Sequence, residues 1–344
     1  ISSILHSFEK THSTFNNNNN LIGLCLTLSR LKKNYKYCVL ELGMSKKKEL
    51  KTLSELSSPN IILVTNISSS HIGNFKSEEE IALEKSNIFF GLTKNGKIVL
   101  NADDKWFYYL KTKAFSYTNN IVSFGTKDGS EMRIKKILTT ENATTIKIND
   151  FNLNLKSLPK HYAINIAGIL LVMKSLNLNL NNILNKINNF QPTQGRGNSF
   201  EICIKKNEYA RIIDDSYNAN PASMKVALEN IYEIKKRKPN INVVLVIGDM
   251  LELGKNTEAF HKKLIKKIQL IKPRCLITIG KHSRIIAKKL KKCFACESFD
   301  NIDQFKNNFF FIIQHQDVIL IKGSNGIGLF KFTQQLYNNI FCRS

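Results

Sequence analysis

The sequence predicts two tandem α/β domains with mostly parallel sheets, and three observations carry that reading. Its 344 residues exceed one ordinary domain and suit two of roughly 150–200 residues each. Strand-like apolar runs alternate with helix-like periodic segments, the pattern of parallel strands joined by right-handed helical crossovers. The alternation breaks at Phe190–Gly197 (FQPTQGRG), the densest Pro/Gly cluster, which sets a boundary between residues 1–194 and 195–344.

Tyr37–Leu42 reads as a buried-type strand, Lys46–Leu56 as a helix and Ile61–Thr65 as the next strand. Glu78–Phe90 predicts a helix with Ile81, Ile88 and Phe89 on one side. Lys97–Leu100 is a strand running into Asn101-Ala102-Asp103-Asp104, a turn and helix start. From Ile121 to Leu155 short alternating segments predict a β-rich patch covering one end of the sheet, and His161–Leu176 and Leu180–Ile187 follow as helices. Beyond the break come strand Ala210–Ile213, helix Ala222–Lys235, strand Val243–Ile247, helix Glu258–Ile271 and strand Cys275–Ile279. Helices Ser283–Leu290 and Asp303–Ile313, strand Val318–Ile321 and a last helix to about Tyr337 complete the chain.

Composition narrows the classes. The chain is 42% hydrophobic and 23% charged, close to the globular average, and its 16 Gly and 6 Pro exclude collagen-like or low-complexity sequence. No apolar run approaches the ~20 residues of a membrane span. The chain opens on Ile1 without a charged segment followed by an apolar one, which predicts no signal peptide and an incomplete N-terminus. Fifty-one Lys+Arg against 27 Asp+Glu give +24. The lysines are spread along the chain and accompanied by abundant Asn, Ile and Phe, which reads as a compositional bias of an AT-rich genome. Solvated lysine faces are expected, not a nucleic-acid surface, for no aromatic-interleaved basic stripe occurs. Seven cysteines are scattered apart from Cys293 and Cys296, a C-x-x-C pair with no second pair or nearby His to complete a zinc site. Reduced thiols in a cytoplasmic, monomeric protein are the expectation.

In parallel α/β sheets ligands gather at the carboxyl ends of strands, so the loops there hold the candidates. Glu41 ends an apolar strand, where a buried carboxylate needs a partner or a cation. His71 follows the next strand, and Lys85 stands on the following helix among Glu79, Glu80 and Glu84. Each alone fits a structural or solvated role better; together they place a carboxylate, an imidazole and an amine after successive strands, a set suited to Mg²⁺ beside phosphate oxygens. No G-x-x-x-x-G-K-[ST] phosphate loop occurs. In the second half, Asp214 to Met224 (DDSYNANPASM) joins strand to helix. Asn220 or Ser223 could cap that helix with Pro221 in its first turn, or the two Asp and two Asn could grip a ribose and a purine edge. Gly248 to Gly254 (GDMLELG) and Lys322-Gly323-Ser324-Asn325-Gly326 follow two further strands; the latter reads either as an anion site or as a Gly-rich turn.

In order, these segments resemble the Mur ligase family, over about Phe15 to Leu336. The carriers are Asn19-Asn20-Leu21-Ile22-Gly23-Leu24, Leu40-Glu41-Leu42-Gly43-Met44, Thr65-Asn66-Ile67 with His71, and Lys85 through Phe89. Asn101-Ala102-Asp103-Asp104, Leu158-Pro159-Lys160-His161 with Asn165, and Gly195-Arg196 continue the series. Asp214 to Met224 and Gly248 to Gly254 are the most specific and point to the branch that adds D-alanyl-D-alanine. Departures are Ser68-Ser69-Ser70 for a usual Gly-Pro-Ala, Cys25 for a usual Pro and Asn325 for a usual Arg.

The resemblance implies a central ATPase domain of P-loop type followed by a Rossmann-like C-terminal domain, entered just after the phosphate loop and without the UDP-sugar-binding domain. It implies ATP-dependent ligation of D-alanyl-D-alanine to UDP-N-acetylmuramoyl-tripeptide through an acyl phosphate, with Mg²⁺. An inactive truncated module or another Mur-type amide ligase is the alternative. Glu41 would bind one Mg²⁺ and His71 a second, which Lys85, carbamylated, would support; these three form the implied catalytic set. His161, Asn165, Arg196, Asp215 and Asn218 would contact ATP, Arg196 facing its phosphates. Asn19, Asn20, Thr65, Asn66, Asn220, Lys322 and Ser324 would contact the other substrates. A hinge near Gly195 would allow closure.

Overall fold

The computed structural model describes residues 1–68, 72–140, 143–156 and 158–341. They form two compact units, one of residues 1–68 and 74–190, the other of residues 72–73 and 191–341.

The first unit opens with α1 (Ser2–His6), β1 (Thr11–Ser13), α2 (Leu21–Ser29) and β2 (Tyr37–Val39), β1 and β2 pairing in parallel. Then come α3 (Glu49–Ser57), β3 (Ile61–Val64), α4 (Glu78–Ser86), β4 (Lys97–Asn101), α5 (Phe107–Ala114) and β5 (Ile121–Gly125). β6 (Met132–Thr139), β7 (Ala143–Ile148), β8 (Phe151–Lys156), α6 (Lys160–Ser175) and α7 (Leu180–Asn188) complete it. One sheet runs β3-β4-β5-β6-β7-β8, parallel as far as β6 and antiparallel beyond. The segment read as a patch over the sheet is thus its continuation: β5 joins the parallel ladder and β6–β8 form a meander from its edge. Val99, Phe124, Ile146 and Leu153 from the strands and Ala163, Ala167, Leu170 and Leu171 from α6 share one fully buried core. Each such large side chain contributes about 1.5–3 kcal/mol by leaving water.

Two elements here depart from their sequence spans, one ending early and one starting late, because side chains and loops claim the backbone. After Val39 the Glu41 N–H donates to Thr14 Oγ1 at 3.0 Å and the Gly43 N–H to the Asn19 carbonyl at 2.8 Å, so the strand does not reach Leu42. Ahead of α3 the Ser45 and Lys46 N–H groups donate to the Glu49 carboxylate, which delays the helix to Glu49. The helix read over Glu78–Phe90 tightens after Ser86 into a 3₁₀ turn over Asn87–Gly91.

The second unit comprises β9 (Asn198–Lys205), β10 (Glu208–Asp214), α8 (Pro221–Arg237), β11 (Asn242–Gly248), α9 (Thr257–Lys262), α10 (Ile265–Ile271) and β12 (Cys275–Ile279). It ends with α11 (Arg284–Leu290), β13 (Ala295–Phe299), α12 (Ile302–Ile312), β14 (Asp317–Lys322) and α13 (Leu329–Phe341). The sheet order is β13-β12-β11-β14-β10-β9, parallel except for the β10–β9 edge. β11 is a continuous apolar run because helices cover both of its faces. Val243, Leu245 and Ile247 pack with α8, α10 and α11, whereas Val244 and Val246 pack with Phe305, Phe309 and Phe332 of α12 and α13. β9, an edge strand, escaped the sequence reading although Phe200, Ile202 and Ile204 alternate along it and pack on the core, Ile202 alone being fully buried. The helix read over Glu258–Ile271 divides where the Leu264 N–H turns back to the His261 carbonyl, a three-residue step that closes α9. At the ends of β11 and β14 a Cβ on Gly248 would lie 3.2 Å from the Gly323 Cα, so the two strand ends meet through glycines.

Candidate active site

At the strand ends of the first unit, Glu41 lies just past β2 on the surface, and its Oε1 accepts from the Asn19 amide at 3.1 Å. Asn19 comes from the turn leading into α2, where Asn20 is the N-cap, its Oδ1 accepting the Gly23 N–H at 2.9 Å. Asn20 therefore fixes the loop that presents Asn19 to Glu41. Beyond β3, Thr65 and Asn66 are exposed; the Thr65 carbonyl accepts from the Asn101 amide and the Asn66 carbonyl from Lys85 Nζ at 2.7 Å. Asp104 accepts the Ile67 N–H at 2.6 Å and so steadies the same loop.

Lys85 is half-buried on α4. Burial pushes its ammonium below the ordinary lysine range, and Asp104 pulls the other way. Its neighbour Glu84 is buried and accepts the Lys48 and Leu50 N–H groups at 2.7 and 3.1 Å, tying the start of α3 to α4. The sequence carried a signal for this, since Glu84 stands three residues after Ile81 and four before Ile88, on the apolar stripe of the helix. His71 lies outside the described residues. His161 and Asn165 are both exposed on α6, the His161 ring 4.6 Å from that of Tyr162.

The loop after β10 is where the second unit concentrates polar groups. Asp214 is buried, and its carboxylate accepts the Gly195 N–H at 2.8 Å as well as both the N–H and hydroxyl of Ser216. Gly195 has a φ of +77°, a backbone form glycine adopts without cost. Asp215 forms an ion pair with Lys322 at 2.8 Å, and Lys322 Nζ also donates to the Asn218 carbonyl at 3.0 Å. Desolvation pushes the Asp215 carboxyl up, while Lys322 and then Arg196 draw it down. The Asn218 side chain accepts the Ala219 N–H, and Asn220 with Ser223 forms a complete capping box on α8, followed by Pro221. The cluster of two Asp and two Asn thus has a structural use for every member. Lys322 is 1% exposed and paired with Asp215, and Gly323 and Ser324 are buried beside it, whereas Asn325 and Gly326 of the same Gly-rich loop are exposed. Ser324 is buried as well, donating to the Ala219 carbonyl and accepting the Leu251 N–H.

Arg196 is a second cation acting on Asp215. It is exposed, and its guanidinium sits 4.6 Å from the ring centroid of Tyr217, which in turn meets Phe330 edge-on at 5.2 Å. Tyr217 escaped the sequence reading although it lies inside the most distinctive segment. Among the described residues no three His, Cys, Asp or Glu side chains converge into a ready-made metal site, and no helix is long and apolar enough to cross a membrane. The cysteines among them are free, and burial pushes the Cys275 thiol up to about 11.

Residues 1–173 match the family model of the Mur ligase middle domain, and residues 200–325 that of the Mur ligase, glutamate ligase domain. The UDP-N-acetylmuramoyl-tripeptide–D-alanyl-D-alanine ligase of Buchnera aphidicola subsp. Baizongia pistaciae is 35% identical over 341 residues, covering 97% of this chain and 71% of the relative. A crystal structure of MurF from Acinetobacter baumannii superposes with a TM-score of 0.82 at 23% identity, covering 97% of this chain and 72% of that one. The MurF ligase from Thermotoga maritima, solved in complex with ADP, gives 0.79 at 21% identity, with 99% and 76% covered.

Proposed function

The chain belongs to the Mur ligase family, and from that premise we propose that it acts in the ATP-driven joining of D-alanyl-D-alanine to UDP-N-acetylmuramoyl-tripeptide. The product is the UDP-N-acetylmuramoyl-pentapeptide used for peptidoglycan. The observation that carries this reading is the 35% identity to a ligase of that name over an alignment of 341 residues that spans both α/β units. In the reaction the terminal carboxylate of the tripeptide takes the γ-phosphoryl group of ATP, and the dipeptide amine then displaces phosphate from the acyl phosphate. Nucleotide, peptide acid and dipeptide all bring negative charge, so positioning and charge neutralisation are the main demands on the protein.

The residues of the first unit fit a hard cation. Glu41 offers carboxylate oxygens with the side chain steadied by Asn19, and Mg²⁺ is commonly held by one or two carboxylates together with phosphate oxygens. When bound, Mg²⁺ supplies positive charge against the phosphates. Glu41 would hold one such ion, and His71 with a carbamylated Lys85 a second. As an ammonium Lys85 cannot ligate, but its burial favours the neutral amine, the form that attacks CO₂. The N–C bond forms, one proton leaves the nitrogen, and an anionic carbamate results. Asn66, through its carbonyl, sets where Nζ points. In the second unit, Arg196 braced on Tyr217 supports phosphate binding, and Asp215, Asn218 and Asn220 shape the adjoining loop.

The test is a coupled assay of the purified gene product with ATP, Mg²⁺ and UDP-N-acetylmuramoyl-tripeptide carrying either diaminopimelate or lysine. ADP release that depends on D-alanyl-D-alanine, with the pentapeptide mass appearing in step, is the expected result. Dipeptide-independent or absent ADP release with both tripeptides overturns the assignment.

A further inference from the structure

His261, on α9, is fully buried, and both ring nitrogens are committed. The backbone N–H of Met250 donates to Nε2 at 3.0 Å, so Nε2 carries a lone pair. Nδ1 lies 2.7 Å from the Thr257 carbonyl oxygen, a contact that requires the proton on Nδ1. Only the neutral Nδ1–H tautomer satisfies both. A second proton, at Nε2, would set donor against donor and strip a buried backbone N–H of its acceptor.

Met250 belongs to the loop Gly248 to Gly254 at the carboxyl end of β11, where ligands of parallel sheets gather. The rest of the loop is fastened on its other side. The Asp249 carboxylate accepts the His282 and Ser283 N–H groups, the Asp249 carbonyl accepts the Ser324 N–H, and the Leu251 N–H donates to Ser324 Oγ. The titratable groups facing the imidazole are Asp249, from the end of β11, and His282, before α11, with ring centroids 5.9 Å apart. On its own helix Glu258 and Lys262 are exposed and pair with each other.

We infer that His261 is a positioning residue for the Gly248–Gly254 loop, holding it in place through Met250 only while the imidazole is neutral. Burial keeps the ring below the ordinary histidine range, with Thr257 and Asp249 opposing that shift and His282 adding to it. The sign follows. The unfolded chain takes up the proton first, so the stabilisation is complete above about pH 6.5, falls as the pH drops through that value, and levels off below the depressed folded value.

The inference rests on the ligase reading for its activity readout alone; histidine ¹⁵N NMR and amide exchange at Met250 stand apart from it. At pH 7.5 His261 is expected to show an unprotonated Nε2 and a protonated Nδ1, with Met250 protected from exchange. Protection should fall below about pH 6.5 in step with protonation of His261. His261→Gln, which keeps an acceptor near the Nε2 position but does not titrate, should stay within about twofold of the parent at pH 7.5 and flatten the acidic limb of the pH–kcat/KM profile. His261→Phe should release Met250 and lower kcat/KM by roughly tenfold at pH 7.5, since loop misplacement away from the chemistry is costly. A protonated Nε2 at neutral pH, Met250 exchange untouched by His261→Phe, or a Gln variant with the parent's acidic limb would each overturn the inference. Should His261→Phe not fold, the NMR signature and the Gln profile decide. A parent without ligase activity but with the expected NMR signature would refute the proposed function and leave the loop device standing.

Discussion

Lys85 and Lys322 show how far one residue type can diverge within a single chain. Lys85 is half-buried, directed by the Asn66 carbonyl and pushed toward the neutral amine by desolvation. Lys322 is buried as a cation and answered by Asp215. Lys85→Ala should therefore lose catalysis more than stability, with kcat down by about 10²-fold or more, the size expected when one electrostatic group leaves a site. Short carboxylates in the buffer should restore part of it by standing in for the carbamate. In the parent, ¹³C-bicarbonate should give a carbamate NMR signal that Lys85→Ala and Lys85→Arg both lack; the same signal in either variant would deny Lys85 that role. For Lys322→Met the loss should appear in urea unfolding at pH 7. Removing one partner of a buried pair costs about 3–5 kcal/mol, and the 28% exposure of the Asp215 side chain places the expected value near the lower end. Adding Asp215→Asn should recover part of the loss, because it removes the stranded charge; a double variant no more stable than the single one would mean the pair is not the cause.

At the scale of elements, the start of α8 separates two uses of the same residue. Asn220 accepts the Ser223 N–H while Ser223 answers the Asn220 N–H, and Pro221 pre-sets the first turn. If capping is its task, Asn220→Ala should cost about 1 kcal/mol and Asn220→Asp almost nothing, measured as the shift in urea midpoint at constant m. An Asp variant that keeps its stability yet loses affinity for D-alanyl-D-alanine would instead reveal a substrate contact through the amide. The sequence had offered both readings of this loop, and geometry alone could show that Asp214, Asp215, Asn218 and Asn220 each have an intramolecular partner. Strands buried on both faces, such as Cys275–Ile279, were legible to the residue, since helix cover leaves no polar alternation to blur their ends. Tyr37–Val39 and Glu49–Ser57 were legible only in part, because Thr14, Asn19 and Glu49 claim backbone N–H groups in ways no periodicity records. His261 gave no sign of its role, for its partner is a backbone amide eleven positions away in a different loop.

For the molecule as a whole, the strand–helix alternation and the Phe190–Gly197 break were enough to indicate two parallel α/β units, because each crossover repeats the same local signal. The site was less legible: its candidates sit at strand ends, but whether a carboxylate there faces water, a helix start or a lysine is decided by neighbours distant in sequence. Net charge is a property that only the whole chain has, and it carries its own prediction. A charge of +24 opposes compaction through self-repulsion. Ion pairs such as Lys51–Glu55, Lys135–Asp150 and Lys262–Glu258 are exposed on both sides, and pairs of that kind contribute about 0–1 kcal/mol each. Raising NaCl from 10 to 150 mM shortens the screening length from about 30 to about 8 Å, which weakens repulsion across the surface more than it weakens attraction between groups already in contact. Thermal unfolding midpoints should then rise with NaCl by a few °C, on the order of 2–5 °C, a shift worth about 1 kcal/mol in units of this size. Calorimetry across that salt range, read separately for each transition if the two units melt apart, checks the sign: midpoints that fall with salt would mean that specific ion pairs outweigh the excess of lysine.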